Sequence, residues 1–92
     1  MYVVVNHAIN DTARFWALAQ SATSNLPNGM SVIHSFPSPD GKKAVCLWEA
    51  DSVNSVRTFL DQATAGMARN EYFEVLNKEG MVLPTLARAA GA

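Results

Sequence analysis

Tyr2-Val3-Val4-Val5 and Ala44-Val45-Cys46-Leu47-Trp48 are apolar at every position. A strand with one wet face alternates apolar and polar residues; an uninterrupted run predicts a strand covered on both faces. Two helical segments follow the first and third strands, and they cover one face only. A chain of 92 residues has little left to cover the other. The expected second cover is another copy of the same sheet.

The rest of the chain is read outward from these runs. Residues 2–9 form a β-branched strand. Asn10-Asp11-Thr12 supplies a helix N-cap, because Asn and Asp side chains accept from the free N–H groups of a first turn. The helix is expected from Thr12 to about Asn25, with Phe15, Leu18, Ala19, Ala22 and Leu26 at helical spacing on one stripe. Trp16 falls beside that stripe, where it meets a loop or a partner. Pro27-Asn28-Gly29 ends the helix.

A second strand is expected over Ser31–Phe36 and a third over Lys43–Ala50, joined by the turn Ser38-Pro39-Asp40-Gly41. Asp51 or Ser52 caps a second helix that runs to Ala65. Its stripe is Val53, Val56, Leu60, Ala63 and Met67, with Phe59 beside it and Gly66 as the C′ residue. A fourth strand covers Asn70–Leu76, and Leu83-Pro84-Thr85 starts a short terminal helix or a frayed tail. The order β-α-β-β-α-β predicts one α+β domain, a ferredoxin-like plait with a four-stranded antiparallel sheet and two helices on one face.

Composition narrows the function classes. Net charge is -1, with seven basic and eight acidic residues and no basic cluster, so no electrostatic footprint for nucleic acid or an anionic membrane is expected. The single cysteine, Cys46, excludes an internal disulfide and fits a reducing compartment. The apolar run after Met1 is too short for a signal peptide, and no stretch reaches the length of a membrane span. A cytoplasmic protein is the expectation.

This plait, with its apolar second face, resembles the dimeric α/β-barrel superfamily. There two sheets pack face to face, with cavities between helices and sheet or inside the barrel. Its members include small-quinone monooxygenases, muconolactone isomerases and haem-degrading enzymes. The hairpin from His34 to Asp51, with Cys46-Leu47-Trp48-Glu49-Ala50-Asp51 at its end, and the segment Arg69–Val75 also resemble a family of short uncharacterised bacterial proteins. Some of those are described as nickel-binding or nickel-responsive. The resemblance implies a homodimer through the sheet face, with a small-molecule cavity and cofactor-free monooxygenase- or isomerase-like chemistry, or alternatively a site for nickel or another divalent metal.

Seven residues are candidates for the chemistry. His34 and Cys46 lie on opposite arms of one hairpin. An odd-numbered loop puts them side by side, Cβ atoms about 5 Å apart, where thiolate and imidazole share a soft divalent metal. A loop of two or four residues puts them on opposite faces, and Cys46 is then a small buried hydrophobe. His7, near the end of the first strand, is a rim histidine, a general base facing a cavity, or a third metal ligand with His34 and Cys46. Glu49, ending the third strand, is either solvated or a carboxylate at a cavity mouth with a raised pKa. Trp48 and Tyr72 line a pocket or pack the core. Asn6 and Tyr72 are polar groups on a sheet that need partners; the resemblance implies that such groups orient a substrate. A non-catalytic interaction module is the third alternative.

Overall fold

The computed structural model describes residues 1–22 and 25–78. The chain order is β1 (Tyr2–Ile9), α1 (Thr12–Ala22), β2 (Ser31–Pro37), β3 (Lys43–Glu49), α2 (Val53–Ala63) and β4 (Ala68–Val75). The strands form one sheet in the order β2-β3-β1-β4, every neighbouring pair antiparallel. This is the ferredoxin-like βαββαβ arrangement. The tail, expected as a short terminal helix or a frayed end, lies outside the described residues from 79 onward.

The ends of the elements follow their caps. The Asp11 carboxylate accepts from Arg14 N–H at 3.1 Å and opens α1. Ser52, not Asp51, caps α2: its hydroxyl accepts from Ser55 N–H at 3.0 Å. The α2 helix closes on Thr64, one residue before the expected end, and Gly66 takes a φ of 78° in the turn that follows. The fourth strand starts two residues early, at Ala68, because β1 pairs with it along its whole length, from Tyr2↔Val75 to Ile9↔Ala68.

Register decides which side chains meet the helices. Val3, Val5, His7 and Ile9 of β1 are buried on that side. Their cross-strand neighbours Trp48, Cys46 and Ala44 of β3 are buried with them. Val56 and Leu60 of α2 close the core over Val3, Val5, Cys46 and Trp48, while Phe15 of α1 closes it over Ile9 and Ala44.

The other side of the sheet is open in the single chain. It carries Val4, Val45, Leu47, Phe36 and Phe73, with Lys43 and Arg69 flanking Ala8 at one end and Glu49 beside Tyr2 at the other. Phe36, Phe73 and Val45 are 60%, 48% and 41% exposed. The apolar runs in β1 and β3 therefore do place hydrophobic side chains on both faces, as their lack of alternation predicted.

In the β2–β3 hairpin Pro37 pairs with Ala44 and Ser38 with Lys43, so the connection inside the closing pair is four residues, 39–42. Ser38 N–H donates to Lys43 O at 2.8 Å, and Gly41 N–H to Ser38 O at 3.0 Å. The Asp40 carboxylate accepts from Ser38 Oγ at 2.8 Å and Lys42 N–H at 3.0 Å, and these donors hold its pKa below the usual carboxylate value. Gly41 has a φ of 72°, and a Cβ there would stand 3.2 Å from Trp16 Nε1. Only glycine suits both conditions. Further along β2, a bulge between Val32 and His34 turns Val32 to the helix side, opposite Trp48.

Candidate functional site

The space between the helices and the sheet is incompletely filled, leaving an apolar cavity of about 90 Å³. Its floor is sheet: His7 from β1, Cys46 and Trp48 from β3, Val32 and Ser35 from β2. Phe15, Trp16 and Leu18 of α1 form one wall, and Phe59, Leu60 and Ala63 of α2 form the other. The cavity exists because each helix turns small residues towards the gap. Ala19 and Ala22 in α1 and Ala63 in α2 occupy helical-stripe positions where larger side chains would fill it.

Polar groups on this lining are few, and most are partnered. Thr64 Oγ1 donates to Leu60 O at 2.7 Å and accepts from Asn70 Nδ2 at 2.8 Å. Asn70 Oδ1 therefore faces His7 Nδ1, at 2.6 Å. Since Asn70 offers an acceptor there, His7 Nδ1 carries the proton and Nε2 the lone pair. Burial holds the His7 pKa below the ordinary histidine value, with the Asn70 bond opposing that shift, so the ring is neutral near pH 7. The Phe15 ring stands edge-on to it, centroids 5.1 Å apart.

Cys46 Sγ contacts Ser35 Oγ at 3.4 Å. Burial pushes the Cys46 thiol up, against the smaller opposite effect of Ser35. The thiol form is favoured, so Cys46 is a poor nucleophile here.

Trp48 is the exception among these partnered groups. It is buried, its ring centroid lies 6.1 Å from that of Phe59, and its indole N–H has no hydrogen-bond partner among the described residues. Trp16, the other tryptophan, is satisfied: its Nε1–H donates to Gly41 O at 2.9 Å. Its place beside the helical stripe thus corresponds to contact with a loop.

The structure sorts the seven candidates into separate groups. His7, Cys46 and Trp48 line the cavity together. His34 is opposite Leu47 on the open face, while Ser35 is opposite Cys46. The four-residue connection thus selects the arrangement in which His34 and Cys46 point to opposite sides, and they do not converge within one chain. Among the described residues, no group of three or more His, Cys, Asp or Glu side chains could hold a metal ion.

Glu49 is exposed at the end of β3 on the open face, away from the cavity. Asn6 also lies on the open face, in a shallow groove of about 420 Å³ with Lys43, Arg69 and Glu71. Tyr72 is on the helix side at the β4 edge, where its hydroxyl donates to the Asp61 carboxylate at 2.6 Å. Burial and the Asp61 carboxylate raise the Tyr72 pKa well above the ordinary phenol value. Arg57 lies over its ring, Cζ 5.4 Å from the centroid.

Asn70 and Thr64 were not legible as site residues. Their role depends on β4 pairing that places Asn70 beside His7 across the sheet. The accessible signal was the presence of polar residues at positions that the strand and helix patterns bury.

Among the described residues no helix is long and apolar enough to cross a membrane. A scan of protein families finds no match to the chain, and comparisons with curated proteins and with solved structures find none either.

Proposed function

We propose that this protein binds a small, largely apolar molecule between its helix layer and its sheet, and that it does so as a homodimer joined through the open sheet face. The observation that carries the binding reading is the apolar cavity of about 90 Å³ between helices and sheet, edged by the rings of Phe15, Trp16, Trp48 and Phe59. An apolar cavity of this kind holds ordered water poorly and takes small apolar guests.

The dimer reading rests on the open face. An apolar centre of Val4, Val45, Leu47, Phe36 and Phe73 is flanked by Lys43 and Arg69, with Glu71 beside them, at one end and by Glu49 at the other. A second copy turned about an axis in the interface and perpendicular to the strands brings Lys43 and Arg69 towards the partner's Glu49 end. Such a self-complementary surface is what a two-fold interface requires.

The test is a screen of small aromatic fragments by two-dimensional amide NMR on the untagged full chain, with native mass spectrometry of the same sample. The expected result is a dimer in which fragments shift residues around Phe15, Phe59 and Trp48. Fragment shifts confined to the open face would overturn the cavity reading, and a monomer would overturn the dimer reading.

A further inference from the structure

One end of the open sheet face holds two cations in a fixed relation. Ala8 of β1 pairs with Lys43 on one side and with Arg69 on the other. The three lie in one row, with Lys43 and Arg69 two strand spacings apart, roughly 10 Å between Cα atoms. All three are exposed, and the short Ala8 side chain leaves a depression between two long ones. That depression belongs to the groove of about 420 Å³. Two residues back along β1, Asn6 stands on the same face between Val45 and Glu71 and lines the groove with them.

The charges in the groove are not matched within the chain. Among the described residues Arg14 and Asp11 form an ion pair, and neither Lys43 nor Arg69 makes one, although Glu71 is close by. The Asn6 amide has no side-chain hydrogen bond there either. Lys43 and Arg69 are long enough for their tips to converge over Ala8. Two like charges converging there repel each other, and an oxyanion between them reverses the sign of the interaction. Lys43 and Arg69 against Glu71 leave one net positive charge, which matches a single carboxylate better than a doubly charged phosphate. Beyond Asn6 the face turns apolar, with Val45 beside Phe36.

We infer that this groove is a site for a small monocarboxylate with an apolar body. The carboxylate lies over Ala8 between Lys43 and Arg69, where Arg69 offers a planar fork, Lys43 a point charge and the Asn6 amide a further donor. The body lies along Val45 and Phe36. The site is on the opposite side of the sheet from the helix–sheet cavity and does not depend on it. In the proposed dimer the partner's Glu49 approaches the same two cations, so a free carboxylate competes with that contact.

The test is a titration of the ¹⁵N-labelled full chain with benzoate, benzamide, acetate and inorganic phosphate, each at the same ionic strength. Benzoate is expected to shift the amide signals of Asn6, Ala8, Lys43 and Arg69 and to saturate. Benzamide keeps the ring without the charge, and acetate keeps the charge without the ring. Each is expected to bind at least about fivefold more weakly than benzoate. Lys43→Gln and Arg69→Gln change exposed side chains, and each is expected to lower benzoate affinity about fivefold. Arg57→Gln removes the same charge from the helix side, beside Tyr72, and is expected to leave the affinity unchanged.

Benzamide binding as tightly as benzoate overturns the carboxylate assignment, and phosphate binding more tightly overturns the monocarboxylate class. Unchanged benzoate affinity in both Lys43→Gln and Arg69→Gln overturns the site. Shifts confined to Phe15, Phe59 and their neighbours overturn it too, and support the cavity reading instead. The dimer is read separately by sedimentation velocity on the same samples. Benzoate is expected to lower the dimer fraction; a dimer unmoved by saturating benzoate overturns the competition with the partner's Glu49, not the site.

Discussion

Leu47 and Trp48 are neighbours in sequence with opposite surroundings. Leu47 lies on the open sheet face between His34 and Val4, and Trp48 lies under the helices between Val32 and Val3. The same charge placed at each position therefore has different consequences. Leu47 is only 8% exposed even in the single chain, so Leu47→Asp lowers the unfolding midpoint as well as putting a carboxylate at the centre of the proposed interface; a monomer by sedimentation velocity, measured below that midpoint, is expected. Trp48→Asp puts an unpaired charge in the core and leaves a large void, costing roughly 3–5 kcal/mol. Loss of the cooperative unfolding transition is expected there. A stable dimer of Leu47→Asp at micromolar concentration would sink the interface proposal.

Acid should weaken the fold through His7. Its folded pKa lies below the ordinary 6.5, chiefly because the ring is buried. Between the two values the unfolded chain binds the proton and the folded chain does not, so stability rises with pH in that window. The contribution is complete above about pH 6.5 and is lost as pH falls below it. Urea unfolding at pH 7 and pH 5 measures this. In His7→Phe the difference between the two pH values should shrink; an unchanged difference would assign the acid sensitivity to other groups.

At the alkaline end the sign reverses. The folded Cys46 thiol titrates above its ordinary value of 9.0 because it is buried. The unfolded chain loses that proton first, so stability falls as pH rises past about 9. The same burial predicts slow labelling by a thiol reagent at pH 8 in the native protein and fast labelling in denaturant. Fast native labelling would mean that Cys46 is not enclosed as described.

Gly41→Ala tests the contact between the hairpin turn and α1. The substitution forces a Cβ into a positive-φ position and within 3.2 Å of Trp16 Nε1. The conformational strain alone is about 1–2 kcal/mol. A lowered melting temperature is expected, together with a shift of the Trp16 indole N–H signal as its bond to Gly41 O is disturbed. Gly66→Ala has the same positive φ but open space around it, so it separates strain from contact. Equal losses in the two variants would show that the Trp16 contact contributes nothing.

The local features were legible because they depend on short-range chemistry. The β1 and β3 runs, the two helical stripes, the Asp11 cap and the Pro39–Gly41 turn could each be found without knowing what lay across the sheet. The fold order followed from them. The α2 cap was narrowed only to Asp51 or Ser52, since both residue types accept from a first turn and the backbone path chooses between them.

The cavity and its polar chain belong to the tertiary structure. Side chains in a strand alternate sides, so one residue more or less in the β2–β3 connection moves His34 from beside Cys46 to the far face. The sequence contained both histidines and the cysteine but not that parity. His7, Asn70 and Thr64 come together only because β4 returns beside β1 in a definite register and α2 ends over it. Sequence alone determined the elements, their order and the presence of hydrophobic side chains on both sides of the sheet. Tertiary structure decided which polar groups share a cavity, because pairing register and helix placement are set by contacts between residues far apart in the chain.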